Sequence, residues 1–117
     1  MNERINEQVL MENPTLEELN LLHANICQAL GDPKRIFILY ALNEQPRHVT
    51  ALADALEMPQ PTVSRHLRVL RERNLVSTER NGAAVVYTIK DDRIIAVLDT
   101  MRGILRHSLA QQSDILT

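Results

Sequence analysis

The stretch that decides the reading is residues 49–90, VTALADALEMPQPTVSRHLRVLRERNLVSTERNGAAVVYTIK. It opens on a short helix over Thr50 to Glu57, in which Leu52 and Leu56 face inward and Ala51, Ala53 and Ala55 keep the rod thin, so that another helix can approach closely. Met58-Pro59-Gln60 is a turn, and Pro61, which has no backbone N–H to lose, suits the first turn of the next helix. There Val63, Leu67 and Leu70 recur at i, i+4 and i+7 as a core stripe, while Thr62, Ser64, Arg65, Arg68 and Arg71 to Arg73 fall on the other face. Asn74 tolerates the left-handed conformation that ends a helix. Beyond it the apolar period drops to two: Leu75 to Arg80 and Ala84 to Lys90 read as strands, with Asn81-Gly82 between them, the strongest short hairpin signal.

On the N-terminal side, residues 1–14 are polar and aperiodic and read as a flexible or partly helical tail, leaving 15–117 as a single domain. Thr15 with Glu18 forms a capping-box pattern, and Leu16, Leu19, Leu22, Ile26 and Leu30 mark a first helix that stops at Gly31. Asp32-Pro33 starts a second, buried on most of its surface through Ile36, Phe37, Leu39, Tyr40 and Leu42, and ending near Glu44-Gln45-Pro46. On the C-terminal side, Ile94, Leu98, Met101, Leu105 and Leu109 mark a long final helix with Gly103 as a weak point. The order of elements is that of a winged helix-turn-helix: a mainly α fold of about five helices with a small two-stranded β-hairpin as the wing.

Apolar residues make up 44% of the 117 and only three aromatics occur, Phe37, Tyr40 and Tyr87, so the core is built from Leu, Ile, Val and Ala. There is no long apolar run and no basic-then-hydrophobic start, so neither a membrane span nor a signal peptide is expected, and the expected location is the cytoplasm. Cys27, the single cysteine, has no internal partner for a disulfide, and a redox switch would need a thiol in another subunit. The net charge of −2 conceals a division: residues 1–32 carry one Arg against six acids, whereas residues 60–90 carry six Lys or Arg against two. Local positive charge of this kind attracts phosphate whatever the sum over the chain. Enzymatic chemistry is not expected, since there is no glycine-rich phosphate loop, no paired carboxylates in a plausible cleft and no nucleophile with a base beside it.

A helix that enters the major groove must keep an apolar face on its domain and offer short polar and long basic side chains outward, and residues 60–73 do both. Double-stranded DNA is therefore the expected partner. Gln60, Thr62, Ser64 and Arg65 are the candidates for base edges or the nearest phosphates, Arg68 and Arg71 for phosphates, and Arg80 and Asn81 at the hairpin tip for the backbone or an adjacent minor groove. Val85, Tyr87 and Ile89 are expected to alternate inward and pin the wing. The competing use of such a fold, as a protein-interaction module, is opposed by the arginines.

The runs Leu30-Gly31-Asp32-Pro33-Lys34-Arg35, Gln60-Pro61-Thr62-Val63-Ser64-Arg65-His66-Leu67, Leu70 with Leu75-Val76, and Arg80-Asn81-Gly82 with Val86-Tyr87 resemble the ArsR/SmtB family of dimeric winged-helix repressors over about residues 16–110. The resemblance implies a homodimer through the first and last helices, a palindromic operator, repression, and release by an effector, a small molecule or an ion, that the residues do not identify. It also implies two metal sites to test. One falls on His48 and Thr50, where no thiolate is available; the other falls on Asp91, Arg93, Ile104 and His107, in which a cation and an isoleucine replace ligands. His23 and Cys27, one turn apart, could join His107 in a mixed site, against the reading of Cys27 as a small buried hydrophobe and His23 as a residue on the dimer rim. No cofactor and no bound metal ion are expected. His66 is read as a structural hydrogen-bonder and His48 as a solvated residue.

Overall fold

Helices and one hairpin follow each other along residues 13–116, which the computed structural model describes; most of the expected tail, residues 1–12, lies outside them. Helix α1, Leu16–Leu22, begins where Thr15 Oγ1 accepts the Glu18 N–H at 3.1 Å, the forward half of the expected capping box. It does not run straight to Gly31. A π turn over His23–Cys27, closed by the Gln28 N–H on the His23 carbonyl at 2.9 Å, and a 3-10 turn over Ala29–Gly31 prolong it. The Asn25 side-chain amide donates to the Leu21 carbonyl at 2.8 Å at the place where the ladder widens. The wider turn rotates the residues beyond it about the helix axis, so Ala29 is buried and Leu30 only half-buried, a correction to the single leucine stripe expected.

Helix α2, Pro33–Glu44, starts as its sequence dictates, with Asp32 Oδ1 accepting the Lys34 N–H at 2.8 Å and Pro33 in the first turn. It buries Ile38, Leu39, Ala41 and Leu42, but Phe37 is 54% exposed, so one flank is open where burial was expected. Helix α3, Val49–Leu56, presents Leu52 to the core and ends at Glu57, which takes the left-handed conformation at φ 54°. The Met58 N–H closes on the Ala53 carbonyl at 3.0 Å. That is a Schellman stop with glutamate where glycine is usual, and it aims the chain into helix α4, Gln60–Glu72.

Ile38, Leu39, Leu52, Val63, Leu67 and Leu70 are wholly buried where α2, α3 and α4 meet. Asn74 ends α4 at φ 61°, as expected, and the chain passes to β1, Val76–Asn81, and β2, Ala84–Ile89, antiparallel from Val76↔Ile89 to Asn81↔Ala84. The two-residue loop is Gly82-Ala83, one position later than the Asn81-Gly82 signal suggests. Gly82 alone has positive φ there, +68°, the arrangement of a turn with glycine at its first central position. Arg47, between α2 and α3, adds a bridge to Tyr87, its N–H on the Tyr87 carbonyl at 3.1 Å and its carbonyl accepting the Tyr87 N–H at 2.7 Å. Tyr87 and Ile89 are half-buried near this anchor, but Val85 lies beyond it and is exposed, contrary to the inward alternation expected.

Helix α5, Arg93–Leu116, is capped by Asp91, whose Oδ1 accepts the Arg93 N–H at 3.0 Å. Ile94, Ile95 and Leu98 reach the core, whereas Val97, Met101, Ile104, Leu105 and Leu109 stand exposed. Tyr40 of α2 donates its hydroxyl to Asp99 at 2.6 Å, and the Arg102 guanidinium lies 5.0 Å from the centre of the Tyr40 ring. Burial, and then the Asp99 carboxylate, raise the Tyr40 pKa above its ordinary value, keeping the phenol a donor.

Replacing Glu57 by Gly removes the left-handed penalty of a side chain at the α3–α4 turn. Urea unfolding of Glu57→Gly should give a gain of about 1 kcal/mol, and a loss would show that the side chain makes up for its backbone.

Candidate nucleic-acid interface

Helix α4 has no freedom in which face it shows. Val63, His66, Leu67 and Leu70 are buried, which turns Gln60, Ser64, Arg65, Arg68 and Arg71 to the exposed side, with Glu72 the one acid among them. Thr62 is half-buried at the edge of that face rather than at its centre. Pro59, the N-cap residue, makes no side-chain hydrogen bond to the first turn, so the free N–H groups there remain available to an acceptor such as a phosphate oxygen. Arg80 and Asn81 are exposed at the outer end of β1, opposite Val85 and Ala84.

Between α4 and the wing runs an open groove of about 540 Å³ lined by Ser64, Leu67, Arg68, Arg71, Glu72 and Tyr87. Arg68 and Arg71 thus share a concavity with the wing's aromatic ring, a juxtaposition that no local pattern announces because Tyr87 is far along the chain. The hydrogen bonds at Arg47 hold Tyr87 in that place.

The inner face of α4 carries one polar residue. His66 is buried, with Nδ1 3.4 Å from Arg35 Nη1 and Nε2 4.0 Å from Asp32 Oδ2. A guanidinium can only donate, so Nδ1 accepts and the ring proton sits on Nε2, facing the carboxylate. Burial lowers the His66 pKa below 6.5, opposed by Asp32 and assisted by Arg35, Arg65 and Lys34. Asp32 is itself held below the ordinary carboxylate value, first by the Lys34 N–H. His66 is the structural hydrogen-bonder expected, and the identity of its partners is new.

Within one protomer the metal candidates stand apart from one another. Asp91 accepts from Arg93 Nε at 3.0 Å and from Nη2 at 2.5 Å, a pairing that holds its carboxyl at a pKa of about 2. Ile104 and His107 are exposed further along α5. In the single protomer Cys27 is exposed, and His23 is exposed at the other end of the same π turn. Among the described residues no three His, Cys, Asp or Glu side chains come together in a way that could hold an ion. Nor is any helix among them long and apolar enough to cross a membrane.

Two helices joined by a tight turn, the second with an arginine face, and a hairpin packed beside it define a winged helix-turn-helix. Residues 32–78 match the family described as bacterial regulatory protein, arsR family. The chain is 32% identical to the nodulation protein NolR of Rhizobium meliloti over 89% of its own length and 85% of that protein. It is 43% identical to the HTH-type transcriptional regulator NmtR of Mycobacterium tuberculosis over 65% of its length, and spans 63% of that relative, less than two thirds. Among solved structures, the homodimeric winged helix-turn-helix DNA-binding domain Mb0332 of Mycobacterium bovis superposes with a TM-score of 0.68 at 27% identity, over 77% of this chain and 83% of that one. The chain belongs to the arsR family of bacterial regulatory proteins, which are not enzymes.

Because folding lowers the His66 pKa, the folded protein binds fewer protons than the unfolded chain once the pH drops below 6.5. Stability should therefore be full above that pH and decline as acid is added. Urea titrations across the range should record the decline in the wild type and a flatter profile in His66→Asn.

Proposed function

We propose that this protein is a dimeric, sequence-specific DNA-binding regulator that represses transcription from a palindromic operator in the cytoplasm and is released by a small molecule or an ion. One observation carries the reading: the burial of Val63, Leu67 and Leu70 leaves Ser64, Arg65, Arg68 and Arg71 facing outward beside a groove shared with the wing. The charge agrees, with six basic residues against two acids over residues 60–90. Gln60, Ser64 and Arg65, in the first turns of α4, contact base edges, with Thr62 at their margin. Arg68 and Arg71 contact phosphates, and Arg80 and Asn81 reach the backbone or the adjacent minor groove.

The dimer follows from apolar surface that one protomer leaves in water. Leu16, Leu19 and Leu22 on α1, and Val97, Met101, Ile104, Leu105 and Leu109 on α5, are all exposed, and pairing these helices about a two-fold axis covers both faces. The relative Mb0332 is described as homodimeric. Two copies of α4 then meet half-sites about 34–36 Å apart, one turn of DNA. This arrangement also puts the acidic first turn of α1, Glu17 and Glu18, at the dimer face, away from phosphate.

Binding to duplexes recovered from a randomised pool tests the assignment. Arg68→Ala should weaken every duplex alike and reduce the salt slope by about one unit, whereas Arg65→Ala should relax preference at one base position by roughly 1–3 kcal/mol. Wild-type protein that ignores duplex DNA in dilute buffer would overturn the reading. For the dimer, sedimentation of Met101→Glu should show monomer where the wild type shows dimer; an unchanged mass would remove α5 from the interface.

A further inference from the structure

Arg35 belongs to α2, yet its guanidinium works where three elements meet. Nε donates to the Ala29 carbonyl at 2.6 Å and Nη2 to the Gln28 carbonyl at 3.0 Å, which also accepts the Gly31 N–H at 3.1 Å, so the group caps the end of the α1 extension. Nη1 meets His66 Nδ1 at 3.4 Å, on α4 and next in sequence to Arg65. The Arg35 side chain is only 17% exposed and that of His66 10%, so neither contact is a loose surface pairing.

We propose that Arg35 and His66 form a proton-operated link between the dimer arm and the DNA-facing helix: neutral His66 keeps α1 and α4 in the arrangement that binds DNA, and protonated His66 lets them part. The proposal rests on the assignment of α4 to DNA and α1 to the dimer made above. Its chemistry is specific. Neutral His66 offers Arg35 a lone pair on Nδ1, whereas protonation turns that acceptor into a donor and sets two cations against each other in a poorly solvated place. The charged groups around the ring are Asp32, Lys34 and Arg35 from α2 and its cap, and Arg65 from α4; the α1 extension contributes the carbonyls of Gln28 and Ala29, which Arg35 occupies. Asp32 is the one anion of this set, with Oδ2 4.0 Å from His66 Nε2 and 3.9 Å from Arg35 Nη1, so a charged ring competes with Arg35 for the same oxygen. A proton on the ring therefore pushes it from Arg35 and draws it toward Asp32, while Arg35 stays with the end of α1.

The direction is diagnostic, because acid ordinarily strengthens DNA binding by adding positive charge to the protein. The experiment measures affinity of the full chain for a selected duplex from about pH 7.5 to about pH 5.5 at fixed ionic strength, together with nuclear magnetic resonance of the His66 ring and the backbone amides. Wild-type affinity should fall about tenfold as His66 titrates, and amides at 28–31 and 64–67 should shift with the same midpoint. His66→Asn, which keeps an acceptor near the Nδ1 position and takes no proton, should hold its affinity throughout. Arg35→Lys, with a charge but no fork, should bind more weakly at the upper pH and lose the dependence. Wild-type affinity that stays flat or rises with acid overturns the link, as does a ring that stays neutral over the whole range or titrates without moving the amides at 28–31. Should neither wild type nor His66→Asn bind duplex at any pH, the DNA assignment fails, and the amide shifts alone decide whether α1 and α4 are coupled.

Discussion

The arrangement depends on the packing of one side of α4. Val63, His66, Leu67 and Leu70 occupy the space under α2 and α3, and the rotation of the helix about its axis is fixed by that fit. Turning it by one residue, about 100°, would drive Arg65 or Arg68 toward the core and expose a leucine. The arginines face outward because the leucines cannot. The wing inherits its position from the same helix, since the Leu75 N–H bonds the Leu70 carbonyl at 2.9 Å and the Lys90 N–H returns to Leu75 at 3.2 Å.

Helix α2 distributes this constraint. Ile38 and Leu39 back α4, Arg35 reaches the end of the α1 extension, and Tyr40 holds α5 through Asp99 and Arg102. The two helices with exposed apolar faces and the one with exposed arginines are thus anchored to neighbouring turns of a single rod. The proposed subunit contact and the proposed DNA-facing helix are therefore joined through side chains of one helix already in contact.

Much of this layout can be read from residues that act locally. Thr15, Asp32-Pro33, Pro61 and Asn74 each act within three or four residues of themselves, and each ends or starts an element where its chemistry says it must. The leucine spacing in α4 told inside from outside for the same reason. The features that escaped depend on partners distant in sequence or on backbone choices without a marker residue. Glu57 adopts a conformation its type disfavours because the turn to α4 demands it. Val85 was expected to face inward but is exposed, beyond the support that Arg47 gives the wing. Arg35 with His66, and Tyr40 with Asp99, are pairs across 31 and 59 positions, and nothing in either neighbourhood names the other. The outward side chains of α4 were legible as a set, and the groove they share with Tyr87 was not.

The wide turn at His23–Cys27 holds one residue more than the helix around it needs. An i→i+5 closure stores one residue more than a regular helical path requires, while the segments on either side keep nearly the bearings they would have without it. A chain shortened by one residue at this point closes an ordinary ladder and leaves Leu16–Leu22 and Ala29 oriented as they are now. The surplus residue therefore makes this stretch the place in the first arm where the loss of one residue would least disturb the segments on either side.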